Sequence, residues 1–238
     1  MIKAAIEKIL ALSDPQSMDI SGRPYTSKPV HEVRDPTPET KKVHTLTGLA
    51  DYINVNPDNL TIEQLILQVV SPREVNLFSA LHGGFVQRSY YLASMHDQPE
   101  FQFGRFMDIE MFIIEMQAKF VQDENTAKIL AIVGNITDGQ INTFTDDGIT
   151  QGVTVKTGIA RVVNTDVPNP VTLAPFRTFT EIEQPEGRFV FRLKAGGAGD
   201  RPSVALFEAD GGAWQIEAIK RLRDWLRLNV PEEVTIIA

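Results

Sequence analysis

Residues 13–44 hold Pro15, Pro24, Pro29, Pro36 and Pro38. Proline lacks a backbone N–H and fixes φ, so at this density neither a long helix nor a central strand runs through the stretch. The core must therefore come from the residues after position 44. Residues 13–44 read as an arm or linker, with one extended piece near Tyr25–Val33. Ahead of the arm, Met1–Leu12 has the apolar character of a signal sequence. Glu7 and Lys8 interrupt it, however, and no cleavage site succeeds it. The expectation is a short amphipathic helix with Ile2, Ile6, Ile9 and Leu10 on one side.

From Thr45 to Ile53, the spacing of Leu46, Leu49, Ala50 and Ile53 predicts a helix, closed by a turn around Pro57. Three strands are predicted next: Leu65–Val70, Val75–Leu81 and Phe85–Met95. Ser71-Pro72-Arg73 and Gly83-Gly84 turn the chain between them, which reads as an antiparallel meander. Residues 103–121 carry the clearest helical period, with Phe106, Ile109, Ile113, Met116 and Phe120 on one face. Met107, Met111, Phe112 and Ile114 widen that face. A helix apolar over most of its circumference belongs in a core or against another subunit. A second helix over Thr126–Val133 is expected to stop at Gly134-Asn135.

The remainder is β-rich. Strands are predicted from Asp138-Gly139 to Phe144 and, after the turn Asp146-Asp147-Gly148, through Val153, Val155, Thr157 and Ile159. A connection over Val167–Pro175 leads to a hairpin turning at Gln184-Pro185-Glu186-Gly187. Its register sets Thr178, Thr180 and Ile182 with Phe189, Phe191 and Leu193 toward the core. Arg177, Glu181 and Glu183 then face outward with Arg188, Arg192 and Lys194. A strand over Ser203–Phe207 comes after a glycine-rich loop. The last helix spans Ala213–Leu228, with Ile216, Ile219, Leu222 and Leu226 inward, and Asn229-Val230-Pro231 stops it.

The residues that carry chemistry form few patterns. Histidines stand at 31, 44, 82 and 96, and no two have the i, i+4 spacing of helical zinc ligands. His82 and His96 flank strands and have the means to converge. Gly196-Gly197-Ala198-Gly199 lies between two predicted strands rather than before a helix, so it reads as a loop and not a phosphate cradle. Asp108, Glu110, Glu115, Asp123 and Glu124 are the acidic cluster most open to a metal. Without a histidine among them they read as a solvated face and a helix end. The last helix holds Lys220, Arg221, Arg223 and Arg227, with Lys220, Arg223 and Arg227 on one stripe and Trp225 nearby. Such a stripe fits a phosphate backbone or an acidic protein. It also fits a solvated face that complements the helix C-terminal dipole.

Composition narrows the classes. No cysteine is present among the 238 residues, which excludes disulfides, thiol catalysis and cysteine-ligated metal, and fits a reducing cytoplasm. A net charge of −8 repels nucleic acid and anionic membrane as a whole, so any nucleic-acid contact is local and weak. No apolar run reaches the length of a membrane span, so no membrane partner is expected.

Several short segments also carry a likeness to a known family. They are Pro99-Glu100-Phe101, then Met107, Glu110 and Phe112, then Asp138-Gly139-Gln140-Ile141 with Asp146-Asp147, then Val167-Pro168 and Pro175-Phe176, and finally Phe189, Phe191, Arg192 and Leu193. In these segments, and in the order of elements from Thr45 onward, the chain resembles the phage and prophage family of YfdQ-like proteins, a domain family of unknown function. It departs from that pattern at Glu115, where the family has a second aromatic, and at Phe101 and Phe103, where it has tryptophans. The resemblance implies a phage or prophage origin, often near recombination genes, and brings no catalytic residues.

The expected fold class is α+β, with antiparallel meanders and hairpins, a long central helix and a C-terminal helix. Residues 1–44 form the helix and arm, 45–135 a meander with the long helix, and 136–238 an antiparallel sheet with the last helix. The latter two also read as one compact unit. The expected role is that of a non-enzymatic, cytoplasmic phage accessory protein, without cofactor or metal. It would bind a protein partner or a second copy of itself, with Lys220, Arg221, Arg223 and Arg227 as partner-binding residues. Two alternatives stand beside it: a nucleic-acid-associated factor of recombination or replication, and an enzyme whose site gathers from distant segments.

Overall fold

The computed structural model describes residues 2–13, 15, 17–27, 39–82, 87–138, 140–146, 151–157, 161–166, 169–194 and 202–238. The chain divides into two compact units, Met1–Pro38 and Glu39–Ala238.

In the first unit, helix α1 (Ile2–Ser13) precedes a hairpin of β1 (Ser17–Ile20) and β2 (Arg23–Thr26). The turn residues Ser21 and Gly22 both have positive φ, the conformation of a two-residue turn that matches strand twist. Asp19 accepts a hydrogen bond from the Gly22 N–H at 2.8 Å. Pro24 is tolerated because a two-stranded ribbon leaves one side of each strand open. Of the extended piece expected near Tyr25–Val33, Tyr25 and Thr26 lie in β2, and residues 28–38 lie outside the described residues.

The second unit is α+β. Its first sheet has the order β14-β4-β5-β6-β3, built from β3 (Lys41–Val43), β4 (Leu65–Ser71), β5 (Glu74–Ser79), β6 (Tyr90–Met95) and β14 (Thr235–Ile237). β4, β5 and β6 form the expected antiparallel meander, while β3 and β14 add parallel edges, against β6 and β4. Helices α2 (Leu46–Val55) and α5 (Ala213–Asn229) supply the apolar cover. Leu65, Leu67 and Val69 alternate inward from β4 and pack with Leu49, Ile53, Leu222 and Leu226, while Gln68 and Val70 face out.

The second sheet has the order β11-β12-β13-β7: β7 (Met107–Asp108), β11 (Val171–Leu173), β12 (Gly187–Lys194) and β13 (Ser203–Glu208). Phe189, Phe191 and Leu193 alternate inward from β12 and pack under α3 (Ile109–Lys119) and α4 (Glu124–Asp138). This core is aromatic: Phe101 lies edge-on to Phe120 at 5.1 Å, and Phe103 stacks on Phe189 at 5.0 Å. A third, antiparallel sheet joins β8 (Gln140–Asp146), β9 (Gln151–Thr157) and β10 (Arg161–Asp166).

Several expectations are corrected. The long helix begins at Ile109 rather than near residue 103, because Gly104 takes a left-handed φ of 73° and Met107–Asp108 joins the sheet beside β13. Asp108 caps the helix by accepting the Met111 N–H at 2.9 Å. Within α3, Phe112 rather than Ile113 is fully buried, Ile113 is half-buried and Phe106 is exposed. Helix α4 runs through Gly134-Asn135 to Asp138 instead of ending there.

The predicted 177–193 hairpin does not form. Val171–Leu173 takes Gly187–Phe189 as its antiparallel partner, and residues 177–184 coil around the buried side chain of Gln184. The Gln184 carbonyl oxygen accepts from the Arg177 and Thr178 N–H groups, and its amide donates to the Phe179 carbonyl at 3.0 Å. A single side chain thereby satisfies backbone groups that a strand ladder would otherwise pair. Finally, the buried stripe of α5 is Ala218, Leu222 and Leu226, at strict i, i+4 steps. Ile216, expected inward, is 62% exposed.

Arg177, expected on the outer face, is instead 2% exposed. Its Nη1 donates to Glu208 at 2.6 Å, its guanidinium lies 3.9 Å over the Trp214 ring, and Asp210 is 3.9 Å from Nη2. Burial pushes its pKa down to about 10, against the pull of Glu208 and Asp210, so it stays a cation at neutral pH. Its carbonyl accepts from Arg73 Nε at 3.3 Å, and the neighbouring Thr178 hydroxyl donates to the Pro72 carbonyl. The pair Arg177-Thr178 therefore ties the β4–β5 turn to the second sheet and to the start of α5.

Two substitutions test this tie. Arg177→Ala leaves Asp210 buried without its cation and should cost about 3–5 kcal/mol. Gly187→Ala places a Cβ 2.5 Å from Arg177 Nη2 and 3.0 Å from Asp210 Oδ2, and should cost about 1–3 kcal/mol. Urea melts of both variants check the two values; a parental midpoint for Gly187→Ala would show that the guanidinium yields freely.

Candidate functional site

The basic residues of α5 divide in their roles. Arg221 donates to Glu217 at 2.9 Å and to the Glu183 carbonyl at 3.0 Å, so it braces the coil around Gln184. Arg223 bonds to Asp224 at 3.0 Å, and Arg227 lies 3.9 Å from the same carboxylate. Lys220 and Arg227 are exposed and Arg223 is half-exposed, so these three do share a solvent-facing stripe, with an acidic residue inside it.

The acidic cluster is dispersed among structural tasks. Asp108 and Asp123 cap α3 and α4, the latter accepting the Thr126 N–H at 2.7 Å. Glu115 pairs with Lys119 at 2.5 Å and Glu124 with Lys128 at 3.8 Å. Among the described residues no three His, Asp or Glu side chains are grouped to hold a metal ion. The glycine-rich loop, the turn at Asp147-Gly148 and His31 lie outside the described residues.

Two features do gather. The first is the outer face of α3. Met111 and Ile114 are about half exposed one turn apart, with exposed Ala118 a further turn on and half-buried Met107 just ahead. Phe106, also exposed, meets Phe207 edge-on at 6.1 Å near the helix start. This helix therefore presents large apolar side chains both to the core and away from it.

The second is a cleft of about 470 Å³ lined by His44, Thr45, His96, Asp97, Gln98 and Thr180. His44-Thr45 directly succeeds β3, and His96-Asp97-Gln98 directly succeeds β6. These two strands are parallel neighbours, with Val43 opposite Ser94. The pairing brings together segments about fifty residues apart in sequence. It converges His44 with His96 rather than His82, whose Nε2 bonds to Ser89 at 2.9 Å.

Each wall of the cleft is fastened. On β3, Lys41 pairs with Asp58 at 3.0 Å, and the Tyr52 hydroxyl donates to the same carboxylate at 2.6 Å. These bonds hold Asp58 below its ordinary pKa, the Tyr52 contact first, and burial with the bond to Asp58 raises that of Tyr52. Thr45 caps α2 by accepting the Gly48 N–H, while Glu181 accepts from the Leu46 and Thr47 N–H groups at 2.7 and 3.2 Å. His96 is buried against the Phe179 ring, and its enclosed Nε2 has no hydrogen-bond partner among the described residues. Burial, aided by the charge of Arg73, lowers its pKa, while Glu181 and Asp97 pull the other way.

Compared with protein-family models, curated proteins and solved structures, the chain finds no match.

His96 sets a pH dependence. A histidine whose folded pKa lies below its unfolded value of about 6.5 is neutral in both states above that value. As the pH falls past it, the unfolded chain takes up the proton first, so this component of stability is lost on acidification. Urea midpoints measured from above neutrality down to about pH 5 should fall for the parent, and less steeply for His96→Asn. Equal slopes would assign the loss to other groups.

Proposed function

We propose that the protein is a non-enzymatic binding protein that acts by self-association, with the outer face of α3 as the contact. The observation that carries this reading is the exposure of Met111 and Ile114, one turn apart on the helix. Apolar side chains grouped in water mark a surface that another molecule covers. A second copy is the simplest occupant: across a two-fold axis perpendicular to the helix the two copies of α3 run antiparallel, their dipoles oppose, and Ala118 permits close approach. The acidic side chains that cap α3 and α4 or pair with lysines there support a structural rather than catalytic use of this region.

The resemblance from Thr45 onward supports an accessory role in phage biology, and the lack of cysteine fits the reducing cytoplasm of a host. Among the described residues no helix is long and apolar enough to cross a membrane.

Salt distinguishes this reading from binding to nucleic acid. Two copies that each carry a net charge of −8 repel one another, and added salt screens that repulsion, so an apolar self-contact tightens. A phosphate contact through Lys220, Arg223 and Arg227 weakens steeply instead. Light scattering at micromolar concentration should show a dimer that persists or strengthens in high salt. Met111→Glu combined with Ile114→Glu should be monomeric, with a melting temperature near the parent's because both positions face outward. A parent that stays monomeric throughout, or a double variant that still dimerises, would remove α3 from this role. DNA binding lost on Arg223→Glu with Arg227→Glu would favour the nucleic-acid reading.

A further inference from the structure

We propose that the cleft at the carboxyl ends of β3 and β6 is a binding site for a small molecule bearing an ammonium group. Where adjacent parallel strands end and their connections diverge, a crevice is left between the loops, and open sheets hold ligands there. Here β3 leads into α2 and β6 leads into the segment toward Phe101, and the space between has the volume of a small-molecule pocket.

The nature of the ligand is set by the groups that the cleft leaves unsatisfied. A helix N-terminus at such a point ordinarily takes an anion. At α2 that place is filled by the chain's own Glu181, bonded to the Leu46 and Thr47 N–H groups, with Thr45 bonded to Gly48. The remaining groups are predominantly acceptors. His44 Nδ1 lies 3.1 Å from the Met95 carbonyl, which only accepts, so the proton sits on Nδ1 and Nε2 of the neutral ring keeps its lone pair. Asp97 is an exposed carboxylate at the rim. His96 is the buried member of the lining: its ring walls the cleft, while its Nε2 is enclosed and meets no ligand directly. Arg73, the cation that bears on His96, is itself paired with Glu100. An alkylammonium donates to the Asp97 carboxylate and to the His44 Nε2 lone pair, and its alkyl part rests beside Thr180, with the His96 ring as a neighbouring wall.

The test uses the full chain, n-propylammonium as probe, and n-propionate and sodium chloride as controls at equal ionic strength. The readout is the imidazole C–H resonances above neutral pH. Propylammonium should move the His44 and His96 resonances along saturable curves in the millimolar range and leave His82, bonded to Ser89, in place. The controls should not reproduce this. Asp97→Asn, at an exposed position that folding does not depend on, should weaken the effect about tenfold, the value of one charge-assisted hydrogen bond. Shifts that fail to saturate, that propionate or salt reproduces, or that Asp97→Asn leaves unchanged would each overturn the proposal.

Discussion

The second unit depends on one buried cation. Arg177 sits between a carboxylate at the end of β13, an indole on the first turn of α5 and the β12 aromatic Phe189. A guanidinium out of water is costly unless it is paired, and here Glu208 and Asp210 supply charge while Trp214 supplies a π face. Asp210 in turn accepts from the Gly212 N–H at 2.9 Å, which sets the start of α5. The same residue reaches the other core through its backbone, by way of Arg73 and Gln184. One residue thus fixes the angle of a helix, the end of a strand and the position of a turn in the neighbouring sheet.

That arrangement explains which parts of the fold were legible. The β4–β6 meander, α2 and α5 arise from local signals: β-branched runs, a Ser-Pro-Arg turn, Thr45 as a cap and Pro231 as a stop. The stretch from Arg177 to Ile182 misled because Thr178, Thr180 and Ile182 alternate like a strand. What decides its conformation is the side chain of Gln184, and nothing in the spacing announces a glutamine folded back on five backbone groups. Arginine at 177 likewise looks like a surface residue until its partners at 208, 210 and 214 are brought around it. The start of α3 depends on Gly104 and on two residues of strand, both below the length at which periodicity speaks.

The candidate sites divide in the same way. The excess of apolar residues around Met111 and Ile114 was visible as a broad helical face, and the fold resolves which side of it is covered. The stripe on α5 was visible too, although Arg221 serves the coil beside it and Asp224 shares the charge of its neighbours. The cleft was not visible, because it arises from a parallel pairing between strands far apart in the chain. In the sequence His82 and His96 both flank predicted strands and are open to converging; the pairing of Val43 with Ser94 brings His44 to His96 instead.

The parallel edge formed by β14 on β4 has a consequence for biosynthesis. β4 lies early in the second unit and β14 near residue 237, so the two are paired across almost the entire unit. At a translation rate of about 5–20 residues per second, β4 waits on the order of ten seconds for its neighbour to be made. During that interval its outer backbone groups, and the apolar side that α5 later covers, stand open on the ribosome. The nascent meander is then exposed to mispairing with other chains, and a chaperone that shields strand edges would act on this protein before its last helix emerges.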